Sequence, residues 1–506
     1  MPDLYQELCK LADSEMYPFH MPGHKRNLES TPMKGAFRCD ITEIDDFDNL
    51  HDASGIILEA QKRANELYGA EETFFLVNGS TSGVLTALSS ALNENDTILA
   101  ARGSHKSFYH GAYLRHLDVK YIPYKLNTEY DIPEAYTAED VEKVLTDDIK
   151  AVFITSPTYE GKCSDIRGIA EICHKRGIPL IVDAAHGAHF LRSQDRFLIE
   201  QNNQDIDGDA RDSNKSILCR EYRNIPESAI AQGADIVIHS VHKTLPSMTQ
   251  TALLHVQGKI VDRDRVKRFL RIFQSSSPSY VLMASIDLCV QEMLDNKEEF
   301  LQKLIEFRNR IQKETSGCRY LKVPGPEEID DAAKVLISVK NAAMTGQELY
   351  DILREEYKLQ LEMAGEKYVL AIISGWDEED GIDRLISAIK DIDARLADVN
   401  CNSNISNNTN ELDCLVNNPV SVMDLPQKEL SLTKAWDAEN EKVDLSDSVG
   451  RVAGEFVNLY PPGIPIIVPG EVFSEGVIAK IGSYLKDGLN VQGIYNRKEV
   501  ICVRQK

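Results

Sequence analysis

Between about residues 51 and 256 the chain alternates short apolar runs with amphipathic stretches, and this rhythm limits the possible folds more than any other feature. The runs Thr73–Val77, Thr97–Ala101, Lys120–Pro123, Ala151–Thr155, Leu180–Val182, Asp235–His239 and Ala252–Val256 are the length of strands. The stretches Ser82–Leu92, Ala138–Leu145, Ile166–Arg176 and Glu227–Ala231 predict helices between them. Such alternation argues for an α/β fold with a mostly parallel sheet covered by helices on both faces. Sheets of this kind bind ligands beyond the carboxyl ends of their strands. Ser80, His105, Asp183 and Lys243 all fall just after expected strands, so the fold itself would gather them.

The pattern then changes. Long charged helices over about 262–273 and 284–314, followed by short strands near Lys334–Val339 and Tyr368–Ile373, predict a smaller α+β domain at 261–395. Residues 396–445 are expected to be a linker region, because Cys401–Asn410 is too polar to bury much surface. A compact C-terminal domain is expected over 446–506, with fixed turns at Tyr460-Pro-Pro-Gly and Pro469-Gly. Residues 1–50 form a mixed N-terminal segment, 51–260 the large domain, and the polar run 193–215 a surface insertion.

With 506 residues there is ample material for such a core. The net charge of −24 repels nucleic acid and anionic membrane surfaces, so neither is expected as a partner. Ten scattered cysteines without a C-x-x-C pair fit reduced thiols in the cytosol. No signal peptide or membrane span is expected.

Lys243, in Asp235-Ile-Val-Ile-His-Ser-Val-His-Lys-Thr, follows a strand that reads as buried. A desolvated lysine near other cationic groups loses basicity and becomes nucleophilic, although a lysine at a strand end also serves simply as a solvated charge. Asp183 ends another apolar strand, where an unpaired carboxylate is costly and calls for a cationic partner. Gly79-Ser80-Thr81-Ser82-Gly83 leads into a helix whose first N–H groups, with the hydroxyls of Ser80 and Thr81, suit a phosphate. The same turn would also serve merely to start a helix. His105 offers a flat ring for stacking. The pairs His20/His24 and His186/His189 could suggest metal, but Pro22-Gly23 breaks the first and Asp183 makes a cofactor or loop role better for the second, so no metal is expected. An amine, a carboxylate and a phosphate cup are together the minimal equipment for holding pyridoxal phosphate.

The chain resembles the short form of the Orn/Lys/Arg decarboxylases, pyridoxal-phosphate enzymes of the aspartate-aminotransferase fold (fold type I). The matching motifs are His20-Met-Pro-Gly-His-Lys, Val77-Asn-Gly-Ser-Thr-Ser-Gly, Ser104-His-Lys-Ser, Pro157-Thr-Tyr-Glu-Gly, Val182-Asp-Ala-Ala-His-Gly-Ala-His, Gly233-Ala-Asp-Ile-Val, Ser240-Val-His-Lys-Thr-Leu and Tyr460-Pro-Pro-Gly-Ile-Pro. They span nearly the whole chain in family order. The resemblance implies that Lys243 bonds the cofactor, Asp183 partners its ring nitrogen, His105 stacks on one face and Ala185 lies against the other. It implies that Ser80, Thr81, Ser240 and His242 hold the phosphate. It also implies a homodimer or higher homo-oligomer in which the Ser275-Ser-Ser-Pro stretch, with Ser276, reaches the neighbouring subunit's phosphate. Where the family commonly has Asp-Glu-Ala-His, this chain has Asp183-Ala-Ala-His.

The activity implied is decarboxylation of a basic amino acid, with L-arginine ahead of lysine and ornithine, giving agmatine for polyamine synthesis. The cationic tail of such a substrate wants an acidic partner, and Glu455 and the cluster Glu43–Asp48 are the candidates. The rivals are another fold-type-I enzyme, such as an aminotransferase or sulfur lyase, and an inactive regulatory homologue. An aminotransferase is not expected to carry the Tyr460 segment, and intact Lys243, Asp183 and His105 argue against inactivity.

Overall fold

The computed structural model describes residues 3–26, 32–190, 192, 225–402, 420–423, 425–461 and 463–505. Seven strands, β1 (Glu72–Leu76), β2 (Thr97–Ala101), β3 (Asp118–Ile122), β4 (Ile149–Thr155), β5 (Leu180–Asp183), β6 (Ile236–His239) and β7 (Ala252–Val256), form one sheet in the order β1-β7-β6-β5-β4-β2-β3. β3, β2, β4, β5 and β6 run parallel, and β7 is antiparallel to both β6 and β1.

Successive strand residues point to opposite faces, and both faces of the inner strands are covered, which is why β5, β6 and β7 are mostly apolar rather than alternating. Val152, Ile154, Leu180, Val182 and Val237 enter one core, and Ala151, Phe153, Ile181, Ile236 and Ile238 enter the other. Each fully buried branched side chain of this set contributes about 1.5–3 kcal/mol. The helix Gly79–Ala91 packs so closely that a Cβ on Gly83 would stand 2.7 Å from Leu76 Cδ1 and 3.0 Å from Ile238 Cγ2. Any larger residue there would force Leu76 and Ile238, or the helix itself, to shift.

Four details differ from the sequence expectation. Glu227–Ala231 is not a helix: a bridge residue and turns lead to Gly233, where φ is +100°, a left-handed backbone that breaks any helical run. The N-terminal segment contains two helices, Leu4–Asp13, capped by Asp3, and Lys34–Cys39. The helix expected at 284–314 begins at Tyr280, because Ser279 caps it, and it bends at Asn296. The helix Glu379–Asn402 also runs past the expected linker start.

Strands Lys334–Ser338, Tyr368–Ile372 and Met363–Ala364 form a small antiparallel sheet. The last part of the chain is organised earlier than residue 446. Val420–Met423 pairs with Tyr124–Asn127, and Asn440–Asp444 pairs with Glu499–Val503, so part of the expected linker is strand. The insertion at 193–215 and residues 403–410 of the polar run lie outside the described residues.

Candidate active site

Parallel pairing sets β5 and β6 side by side, with Asp183 opposite Ile238. Both strands end at the same edge, so Asp183 and the turn after His239 emerge together. Ser240 then leads into the short helix Val241–Thr244, which carries Lys243. Ser80 and His105 reach the same edge from the ends of β1 and β2, each at the start of a helix. The result is a cavity of about 290 Å3 whose lining includes Ser80, His105, Asp183, Ala185, His186 and Lys243.

The electrostatics follow from burial. Desolvation lowers the Lys243 amine from its ordinary value, against the pull of Asp183 and Glu362. Its Nζ lies 2.9 Å from His186 Nε2. Burial pushes the Asp183 carboxyl up, although Lys243 and the Ala185 N–H, which donates to Oδ1 at 3.1 Å, oppose this. A carboxylate so placed has capacity for a further cationic donor. Burial and the nearby Lys243 hold His105 down at about 4, so its ring is neutral at physiological pH. Its Nδ1 is engaged by Ser107, with Oγ at 2.9 Å and N–H at 3.2 Å, which fixes the orientation of the ring.

Two other parts of the chain supply walls. Tyr460, Pro461 and Ile464 come from the C-terminal region, and Lys106 Nζ lies 5.6 Å from the centre of the Tyr460 ring. Glu362 comes from the small sheet, and the Tyr159 hydroxyl donates to it. Glu134 also lines the cavity, but Lys162 neutralises it at 3.1 Å.

The structure thus brings Lys243, Asp183, His105, Ala185 and Ser80 together. Ser240 is buried beside them, and its Oγ has no hydrogen-bond partner among the described residues. Thr81 is exposed on the outer side of its helix and does not line the cavity. His242 is turned aside, with Nδ1 2.9 Å from the Thr251 carbonyl. Ser276 is exposed outside the cavity, in a stretch held near the helix Gly79–Ala91 by the Ser275 N–H, which donates to Asn78 Oδ1 at 3.2 Å. Glu455 does not reach the cavity: its carboxylate accepts from Trp436 Nε1 at 3.2 Å and from the Phe456 N–H at 2.8 Å. The cluster Glu43–Asp48 lines a separate, open depression.

Sequence reasoning missed Glu362, Tyr159 as a lining residue, and Lys334. Lys334 is fully buried, and its Nζ lies 2.9 Å from His186 Nδ1. His189 pairs with buried Asp331 at 2.8 Å. Both motif histidines are therefore held by the small unit. A lysine heading the apolar run Val335-Leu-Ile was the available signal.

The sequence profile of the Orn/Lys/Arg decarboxylase major domain matches residues 2–356, and that of the corresponding C-terminal domain matches residues 417–490. An arginine decarboxylase of Halalkalibacterium halodurans is 31% identical over 97% of this chain and 94% of its own. An arginine decarboxylase of Bacillus subtilis is 28% identical over 97% of this chain and 95% of its own. Among solved structures, lysine decarboxylase A from Pseudomonas aeruginosa superposes with a TM-score of 0.76 at 19% identity, covering all of this chain and 80% of the other. A serine palmitoyltransferase of Sphingomonas wittichii superposes with a TM-score of 0.53 at 14% identity, covering 79% and 85%; both structures bear on the fold alone. Among the described residues no helix is long and apolar enough to cross a membrane.

Proposed function

The chain belongs to the Orn/Lys/Arg decarboxylase family and is a decarboxylase of basic amino acids, and from that premise we propose that it converts L-arginine to agmatine and CO2 with pyridoxal phosphate as cofactor. The observation that carries this reading is the convergence of Lys243, Asp183 and His105 in one cavity whose rim holds the carboxylate of Glu362. The residues fit the cofactor. Asp183 is a buried carboxylate with room for a cationic ring nitrogen, and Ser240 offers a buried hydroxyl without a partner. Lys243 would bond the cofactor, His105 and Ala185 would flank its ring, and Ser80, Ser240 and the N–H groups after Gly79 would hold its phosphate. When bound, the cofactor supplies an electron sink for the pair left behind by departing CO2.

The chain's own groups do the rest. Asp183 keeps a positive ring nitrogen favourable in a water-poor site. Lys243 stands within reach of His186, with which it would exchange a proton. Tyr460, Pro461 and Ile464 narrow the access of water. Glu362 replaces Glu455 as the candidate for the substrate's cationic tail. Charge-assisted pairing of a guanidinium with a carboxylate is bidentate and stronger than that of an ammonium, which places arginine first. In this reading the enzyme is a cytoplasmic homodimer feeding polyamine synthesis. The exposed Tyr17, Phe19 and Met21, at 68%, 90% and 68% relative accessibility, support contact with a second copy.

The test offers arginine, lysine and ornithine together to the purified protein with pyridoxal phosphate. Agmatine and CO2 as the main products support the reading. Cadaverine or putrescine as the main product overturns the choice of substrate. Product formation that requires an added keto acid overturns the decarboxylation itself.

A further inference from the structure

Two lysines, the half-buried Lys243 and the fully buried Lys334, share one imidazole. Lys243 Nζ stands 2.9 Å from His186 Nε2, and Lys334 Nζ stands 2.9 Å from His186 Nδ1. Lys243 reaches the ring from the large unit, and Lys334, at the head of Lys334–Ser338, reaches it from the small one. A lysine ammonium has three donors and no acceptor, while a neutral imidazole has one N–H and one lone pair. With both contacts formed, one ring nitrogen accepts from a lysine and the other donates to a lysine. The lysine that receives the N–H must be a neutral amine. An imidazolium would require both amines to be neutral, and burial together with the two lysines holds His186 well below its ordinary value. The donor count therefore forbids two ammonium groups around this ring.

The surroundings decide which lysine is neutral. Burial is the largest influence on both, and it lowers Lys334 to about 8. Asp331, Glu362 and Glu160 favour charge on Lys334, with Lys243 opposing it. Asp183 and Glu362 favour charge on Lys243. Also near Lys243 are the neutral His105, His242, which burial and Lys243 hold below its ordinary value, and the Tyr159 ring, whose centre is 5.9 Å from Nζ. Three carboxylates act on Lys334 and two on Lys243, and one of those two, Asp183, is assigned to the cofactor's ring nitrogen.

We propose that Lys334 is a positioning residue that, through His186, holds the Lys243 amine neutral and able to bond the cofactor's aldehyde carbon. Nδ1 accepts from the Lys334 ammonium, and Nε2–H donates to the Lys243 lone pair. The same line carries a proton: Lys334 gives one to Nδ1 as Nε2 gives its own to Lys243. Lys334 ends neutral, Lys243 ends as an ammonium, and His186 ends as its other tautomer, so protons and charge balance. The inference rests on the assignment of Lys243 as the cofactor-bonding lysine.

The test titrates the full-length apoprotein with pyridoxal phosphate across pH, reading the visible absorbance of the lysine-bound cofactor rather than turnover. Lys334→Met should raise the midpoint of capture by about one pH unit or more, because the neighbouring cation and the constraint on the ring are both gone. His186→Phe should move it in the same direction. Lys334→Arg should keep the wild-type midpoint, since its cation still donates to Nδ1. A folded Lys334→Met protein that captures cofactor with an unmoved midpoint overturns the proposal, and weaker capture without a shift reduces Lys334 to a clamp. If these variants do not fold, nitrogen NMR of 15N-histidine in the wild-type apoprotein decides. Protonated Nε2 and bare Nδ1 support the arrangement, and the reverse tautomer overturns it. A wild-type protein that captures no cofactor would instead overturn the assignment of Lys243.

Discussion

Arg102 and Glu471 form a buried ion pair, Nη2 to Oε2 3.0 Å, that fastens the end of the chain to the strand edge where the cavity opens. Arg102 follows β2 directly, and it also donates to the carbonyls of Pro465 and Ile466 at 2.9 and 3.3 Å. Glu471 in turn accepts from the Val468 N–H at 2.9 Å. Arg102→Met would leave a buried carboxylate without its cation, which costs about 3–5 kcal/mol. The urea midpoint should fall accordingly, and activity should fall with it as the Tyr460 wall loosens. A variant as stable as its parent would contradict the structural role of the pair.

Lys243→Ala should abolish both CO2 release and the visible absorbance that appears on adding pyridoxal phosphate. Asp183→Asn should separate the two. Cofactor would still be captured, while kcat drops roughly 10²–10³-fold, the scale of a lost preorganised electrostatic contact. Stopped assays on the cofactor-loaded variants measure this, and near-normal turnover in Asp183→Asn would remove that residue from the mechanism.

Glu362→Gln should raise KM for arginine. A hydrogen bond to a charged group is worth about 1.5–3 kcal/mol, so kcat/KM should fall roughly ten- to a hundredfold. Glu455→Gln should leave KM unchanged, because that carboxylate is engaged by Trp436 and faces away. Equal behaviour of the two variants in steady-state assays would return the substrate's tail to an unassigned partner.

Acid should destabilise the protein through its buried neutral histidines. His105 is held at about 4 when folded, against an ordinary value of 6.5. Between those values the unfolded chain binds a proton that the folded chain refuses, so the contribution is full above 6.5 and is lost as pH falls towards 4. The slope is at most about 1.4 kcal/mol per pH unit for one such group. Asp183, pushed up by burial, acts in the opposite direction at the acid end. The measurement is therefore a difference: His105→Asn keeps a helix-capping side chain but does not titrate. Denaturant titrations should show wild type losing stability relative to this variant from pH 6.5 to 4, and parallel curves would refute the role of His105.

The large sheet was legible because most of its strands carry their own signal, a short run that is mainly apolar. Residues that follow such strands, such as Asp183 and Lys243, inherit their position from the sheet and were legible with it. The turn at Glu227–Ala231 was not, since propensity over five residues cannot outweigh a flanking proline and glycine. Glu362 and Lys334 were illegible for a different reason. They belong to another unit, and their approach to the cavity depends on how that unit packs, which no local pattern encodes. Glu455 illustrates the converse: closeness in sequence to Tyr460 gave it a role that the path of the strand Val457–Leu459 denies it.

The Tyr460 wall has a consequence for how the enzyme comes into being. The residues proposed as anchor, ring partner and phosphate cup, Lys243, Asp183 and Ser80, are synthesised well before Tyr460, which walls the same cavity. On that proposal, a nascent chain can gather the groups that would grip vitamin B6 long before it can shelter the reaction.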